Sequence, residues 1–169
     1  MRNRFYPTDY FTSTYAIDFE KLYKMGYRAV IFDVDNTLVE HDAPADDRAK
    51  ELISRLKDIG YQICFLSNNG EERVKMFNDE VNCQYIYKAG KPLPKGYNSA
   101  MELMGVAKEE TLFVGDQIFT DIWGANNAGI RSILVQPIAK HEEIQIVLKR
   151  IPEKWILRGY LKRYPLRDK

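Results

Sequence analysis

Ala29-Val30-Ile31-Phe32-Asp33-Val34-Asp35-Asn36-Thr37-Leu38 is the stretch from which the fold can be read. Four apolar residues, two of them β-branched and one aromatic, run into two acids one residue apart, with a threonine two residues further on. Such a run predicts a buried strand over Arg28–Phe32, and the acids then sit where that strand ends. In an open parallel α/β sheet, ligands bind at the carboxyl ends of the strands. Asp33 and Asp35 bracket a single residue, so both can address one cation and one reacting group. Carboxylates that close repel each other unless a metal or a proton comes between them. The stretch therefore implies a bound cation, and Mg²⁺ is the choice that carboxylate, carbonyl and water oxygens favour.

Downstream, strand and helix patterns alternate. A polar loop holds Pro44. A helix capped by Asp46 or Asp47 then carries Leu52, Ile53, Leu56 and Ile59 on one face and ends at Gly60. Further strands are expected at Tyr61–Leu66, Gln84–Tyr87, Thr111–Val114 and Arg131–Val135, with helices between them from Glu71, from about Lys95 and through Trp123. This is the pattern of a parallel sheet covered by helices on both faces. The fold class expected is α/β, a three-layer Rossmann-like domain with a parallel sheet of about five strands. Residues 1–17 read as an irregular aromatic arm packed on the domain. Asp18 caps a short helix ended by Gly26, and the segment from about residue 140 reads as helix broken at Pro152.

The 169 residues fit one domain, with a core over about 28–135, an N-terminal arm over 1–27 and a C-terminal helix over 140–169. A formal charge of +1 argues neither for nor against nucleic acid. Cys64 and Cys83 follow no metal-ligand spacing and lie in apolar stretches, so reduced core thiols are expected. The polar start shows no signal peptide, and no apolar run approaches the ~20 residues that cross a bilayer. The expectation is a cytoplasmic protein with peripheral membrane contact open. His41 and His141 read as surface histidines. There is no G-x-x-x-x-G-K-[ST] loop and no G-x-G-x-x-G, which argues against a P-loop nucleotidase and a dinucleotide enzyme.

What singles out this sequence is where its polar residues fall. Asp33 and Asp35 follow the first core strand, Ser67 and Asn68 the second, Lys91 the third and Asp116 the fourth. All converge on one sheet edge. Each signal alone is common in turns; the ordered set is specific, and it suits phosphoryl transfer, which asks for positioning and charge neutralisation. Asp33 is the expected nucleophile, forming an aspartyl-phosphate. Asp35 is the general acid and then base. Mg²⁺ is expected on Asp33, the backbone carbonyl of Asp35 and Asp116. Thr37, Ser67 and Asn68 are expected on phosphate oxygens, although Asn68 by itself also reads as a cap. Lys91, preferred over Lys95, offsets charge on the phosphoryl group and Asp33. Asp121 is placed to hold a metal-bound water or to orient Lys91.

These motifs resemble the haloacid dehalogenase (HAD) superfamily. Asp33 to Thr37 matches its D-x-D-x-T, Ser67 its strand-ending Ser or Thr, Lys91-Pro92 its lysine, and Gly115-Asp116 with Asp121 its G-D-x-x-x-x-D. The second acid, Asp35, is what phosphatases of the superfamily carry. The D-x-D-N-T and G-D-Q-x-x-T-D forms look like subfamily IIIA and its YqeG-type group, which is similar to mitochondrial and plastid phosphatidylglycerophosphate phosphatases. The resemblance implies that lipid phosphate as a candidate substrate. Other outcomes are a soluble metabolite, a phosphoprotein or a nucleic-acid end, or a phosphate-binding scaffold without turnover. Thr37 to Ser67 and Ser67 to Lys91 each leave room for one helix and one strand, so no cap domain is expected. An open site suits a phosphate displayed on something large, unless a homo-oligomer supplies the lid. Residues 150–169 interleave Arg150, Lys154, Arg158, Lys162, Arg163, Arg167 and Lys169 with aromatic and aliphatic residues, a composition suited to an anionic membrane surface or to a terminal helix docked on the domain.

Overall fold

Ala29–Phe32 forms the strand β2 at the centre of the sheet, and all four residues are buried. The computed structural model of the chain describes residues 3–139 and 144–168. Around β2 the chain lays down β1 (Asp9–Phe11), α1 (Phe19–Lys24), α2 (Asp47–Ile59), β3 (Gln62–Leu66), α3 (Glu71–Asn78) and β4 (Gln84–Ile86). Then follow α4 (Pro94–Met104), β5 (Thr111–Gly115), α5 (Trp123–Ala128), β6 (Arg131–Val135) and α6 (Ile144–Leu161). The six strands stand in the order β1-β6-β5-β2-β3-β4, and every pairing is parallel.

Strand side chains alternate between faces, which sorts the core into two layers. Val30 and Phe32 join Leu52, Ile53, Leu56, Val74 and Phe77 of α2 and α3 on one face. Ala29 and Ile31 join Tyr97, Ala100 and Met101 of α4 and Ala125 of α5 on the other. The helix limits follow local chemistry. The Asp46 side chain accepts from the Ala49 N–H at the start of α2, and Gly60 closes α2 in the left-handed conformation at φ 111°. Cys64 is buried in the core and Cys83 is half-buried, both as free thiols.

Two expectations need correction. Five strands are expected and six are present, because the arm read as irregular contains β1, paired with β6 at the sheet edge. Three residues are too few to show a period. Their ladder to β6 is reinforced by charge: the buried Asp9 carboxylate meets Arg131 at 2.7 Å and Arg167 at 3.0 Å. The break expected at Pro152 is also absent, and α6 runs through it. Pro152 lies on the exposed side of the helix, where water can take the carbonyl that its missing N–H leaves open. Between Thr37 and Ser67 stand only α2 and β3, and between Ser67 and Lys91 only α3 and β4, so no cap interrupts the core. His141 lies outside the described residues.

Candidate active site

Four strand ends meet at one edge of the sheet. Asp33 directly follows β2, and its N–H extends the ladder to the Val114 carbonyl at 2.9 Å. Ser67 follows β3, Lys91 comes five residues after β4, and Asp116 follows β5. Lys91 Nζ donates to Asp33 Oδ1 at 2.6 Å and to Asp121 Oδ1 at 2.7 Å. Thr37 Oγ1 lies 3.3 Å from both Asp33 Oδ2 and Asp116 Oδ1. Lys95, the competing lysine, is exposed. The cleft over this edge encloses about 220 Å³ and is lined by Asp33, Asp35, Ser67, Lys91, Gln117 and Thr120 among others. That is below the roughly 300–1,000 Å³ of sites that engulf a whole small molecule. It has room for a phosphate group and the atoms next to it.

The loops that carry these side chains are held tightly. Thr14 Oγ1 donates to the Thr37 carbonyl at 2.8 Å and Tyr15 Oη to the Leu38 carbonyl at 2.7 Å, so the N-terminal arm pins the loop after Asp33. After Asp116 the chain forms a π-helical turn over Ile118–Ile122 before α5. Asp121 Oδ2 accepts from the Gln117 N–H at 3.0 Å, and Tyr97 Oη donates to the Thr120 carbonyl at 2.8 Å. Gly115 is required at its place: a Cβ there would stand 2.5–2.7 Å from the Asp121 carboxylate and Cβ.

Asp33, Asp116 and Asp121 are all buried, and one oxygen of each lies within 4.8 Å of the others. Burial pushes the Asp33 carboxyl up to about 7; Lys91 opposes this, and Asp121 adds to it. Asp116 is raised by burial and by Asp33, with Arg150 opposing. Burial alone would lower Lys91, but Asp121 and Asp33 more than offset it and hold the ammonium above its ordinary value. The Thr37 hydroxyl has one hydrogen for two facing carboxylate oxygens, so it serves one oxygen of that pair at a time, and among the described residues neither has another side-chain donor. A divalent cation fits there, since Asp33 Oδ2 and Asp116 Oδ1 offer it oxygen ligands. Asp121 is the lesser candidate, because Lys91 and the Gln117 N–H already take its two oxygens.

Asp35 stands at the rim of the same cleft. Asn69 Nδ2 donates to its Oδ2 at 2.6 Å, and Arg73 donates to its Oδ1 through Nε at 3.1 Å and the terminal nitrogen at 2.7 Å. The Asp42 N–H adds a fourth bond at 2.9 Å. His41, expected on the surface, lines the cleft with its ring 3.8 Å from Asp35. Ser67 Oγ faces the cleft and accepts from the Asn69 N–H at 3.1 Å.

Two residues expected on phosphate oxygens are engaged elsewhere. The Asn68 amide accepts from the Lys91 N–H at 2.8 Å and donates to the Lys91 carbonyl at 3.1 Å. It therefore fixes the lysine's backbone, as its reading as a cap allowed. Thr37, buried to 1 % exposure, turns its hydroxyl to the two carboxylates.

Sequence reasoning missed Arg73, Asn69 and, most of all, Arg150. Arg150 reaches from α6 to the Asp116 carboxylate and carbonyl, the latter at 2.6 Å. Its neighbour Glu153, 5 % exposed, accepts from the Ile118 and Phe119 N–H groups at 2.7 and 3.2 Å and from Arg150 at 3.1 Å. The tail is thus keyed into the site by one arginine and one glutamate. Nothing in their spacing marks them; a glutamate among apolar residues and cations was the one visible sign.

The model of the haloacid dehalogenase-like hydrolase family matches residues 40–129. The chain is 37% identical over 158 residues to the probable phosphatase YqeG of Bacillus subtilis (strain 168), covering 93% of this chain and 92% of that one. It is 28% identical over 160 residues to phosphatidylglycerophosphate phosphatase 1, chloroplastic/mitochondrial, of Arabidopsis thaliana, covering 85% of this chain and 46% of that longer protein. Among solved structures, a HAD-superfamily hydrolase from Ehrlichia chaffeensis superposes with a TM-score of 0.54 at 18% identity, covering 76% of this chain and 97% of that one. That likeness concerns the fold.

Proposed function

The chain belongs to the haloacid dehalogenase-like hydrolases and is a phosphatase, and from that premise we propose that it hydrolyses a lipid-borne phosphomonoester, phosphatidylglycerophosphate, through an aspartyl-phosphate at Asp33. The observation that carries the chemistry is the grip of Lys91 on Asp33 at the end of β2, beside Ser67 and within an open cleft of about 220 Å³. Lys91 on Oδ1 and, among the described residues, the shared Thr37 hydroxyl on Oδ2 fix the Asp33 carboxylate at the strand end, facing the cleft.

In this reading Lys91 also neutralises charge on the transferred group, and Ser67 Oγ with nearby backbone N–H groups holds its oxygens. Asp35 protonates the leaving oxygen and then takes the proton of the hydrolytic water, so the bond to the substrate oxygen breaks in one step and the bond to Asp33 in the next. Asn69 and Arg73 aim it, and it must yield one of their hydrogen bonds to carry the proton. Asp121 and Asn68 position Lys91 from its two ends. Asp33 and Asp116, with the Asp35 carbonyl, would hold Mg²⁺, which would supply charge neutralisation on the phosphoryl oxygens. Arg150 keeps the Asp116 carboxylate compensated.

The lipid substrate rests on the plant relative's activity and on the absence of a cap, which leaves the cleft to a phosphate carried on a large group. Phosphate release from phosphatidylglycerophosphate in mixed micelles with Mg²⁺ tests it. Wild type should release phosphate and Asp33→Asn should not, because an amide cannot attack phosphorus. Activity on an aryl phosphate without activity on the lipid would discard the lipid and keep the chemistry.

A further inference from the structure

Helix α6 is apolar on two sides. Glu153 and Tyr160 are buried, and Ile156 and Leu157 are half-buried, so this side faces the domain, where Tyr160 packs with Tyr10, Ile118 and Leu134. The opposite side carries Leu148, Ile151 and Trp155 at 61, 55 and 70 % exposure, with the exposed Pro152 between them. Spacings of three and four residues put these on one stripe. A helix with two apolar faces normally has both covered, and exposed apolar patches rimmed by polar residues mark interaction sites.

The fold also sorts the tail's charges. Its two acids are drawn inward: Glu153 caps the turn after Asp116, and Asp168 accepts from the Thr12 N–H at 3.0 Å. Arg150 turns inward to Asp116, and the exposed Arg167 is paired with Asp9. Lys154, Arg158, Lys162 and Arg163 stay exposed around the apolar stripe. Arg158 lies 5.6 Å from the Trp155 ring. The outward side of the segment is therefore cationic and aliphatic together, with an exposed tryptophan.

We propose that this outward face of α6 docks on the surface of an anionic lipid bilayer. A duplex or single strand would reward the cations but not Leu148 and Ile151, whereas an interfacial helix uses both, with tryptophan at headgroup depth. No helix among the described residues is long and apolar enough to cross a membrane, so α6 lies on the surface. Arg150 touches Asp116 from one side of α6 while Leu148 and Trp155 are exposed across the helix from it. The docked surface thus lies about one helix diameter, roughly 10 Å, from the carboxylate cluster. The inference deepens the lipid-phosphate reading and rests on it for its purpose, but the docking is measured without turnover.

The test is co-sedimentation of the full chain with phosphatidylcholine vesicles, with and without phosphatidylglycerol. Binding is expected only with the anionic lipid, reversed by salt, with a blue shift of tryptophan emission that Trp155→Ala abolishes. Lys154→Gln with Arg158→Gln should weaken partitioning by about 30-fold, roughly fivefold for each cation removed. These variants leave the cleft untouched, so release of phosphate from a soluble aryl phosphate should be unchanged and reports their folding. Equal binding to neutral vesicles, indifference to the double substitution, or retention of an oligonucleotide in place of vesicles would overturn the proposal. Hydrolysis of micellar phosphatidylglycerophosphate without vesicle binding removes the docking surface and keeps the substrate; vesicle binding without that hydrolysis does the reverse.

Discussion

Metal-free protein should lose stability as the pH rises, and Asp33→Asn should cancel the loss. Burial, with Asp121 and Asp35 nearby, lifts the Asp33 carboxyl from its ordinary 3.8 to about 7, even against Lys91. The native state then holds this proton more tightly than the unfolded chain does. The resulting stability is fully present below about pH 4 and is lost as the pH rises through about 7. The interval of about three pH units, at about 1.4 kcal/mol each, amounts to about 4 kcal/mol, of which about 3 kcal/mol falls between pH 5 and pH 7. Against a total on the order of 5–15 kcal/mol this is easily measured. Asp116 is raised for the same main reason and adds in the same direction. The assay is urea unfolding followed by tryptophan fluorescence from pH 5 to pH 8 in EDTA, repeated with Mg²⁺. In EDTA, Asp33→Asn should be more stable than wild type at pH 8, with the gap closing toward pH 5. Mg²⁺ should stabilise wild type at pH 8, by about 2.7 kcal/mol at a hundredfold excess over its Kd, and much less at pH 5, where protons hold the carboxylates. An unchanged pH slope in Asp33→Asn, or equal Mg²⁺ stabilisation at both ends, would refute the charge reasoning.

Three further outcomes follow from the same geometry. Lys91→Met leaves two buried carboxylates without their shared cation, so unfolding in EDTA at pH 8 should show a loss of about 3–5 kcal/mol, smaller in acid. Gly115→Ala should cost about 1–3 kcal/mol by pressing a Cβ into Asp121, and kcat should fall because Asp121 can no longer steady Lys91. Arg150→Met removes a positive charge from Asp116; calorimetric titration should show Mg²⁺ bound more tightly by about an order of magnitude, although the metal-free protein melts earlier.

The parts of the fold and site that were legible in the sequence are those with local signals. Arg131–Val135 is a strand as expected, and Gly60 stops α2 where expected. Asp33, Ser67, Lys91 and Asp116 could be aligned because each stands at or near the end of a strand whose pattern is plain. β1 was hidden because three residues show no period and their pairing partner β6 lies more than 120 residues away. Arg150 was hidden because a contact 34 residues from Asp116 depends on how α6 docks, and the surplus of cations around it suggested only a charged surface. The engagement of Asn68 with Lys91 was hidden for a related reason: the residue reads as a turn or cap, and only the return of the chain after β4 supplies its partner.

The central claim is that Asp33 takes the phosphoryl group. Its most direct test is a rapid acid quench of the enzyme with substrate and Mg²⁺, followed by mass analysis of the peptide that carries residues 29–38. With an aryl phosphate, whose leaving group needs no acid, the account predicts a phosphoryl increment on Asp33 in wild type, raised in Asp35→Asn, which lacks the base for the second step, and absent in Asp33→Asn together with turnover. Turnover by Asp33→Asn, or a phosphoryl group on any other residue, would contradict it.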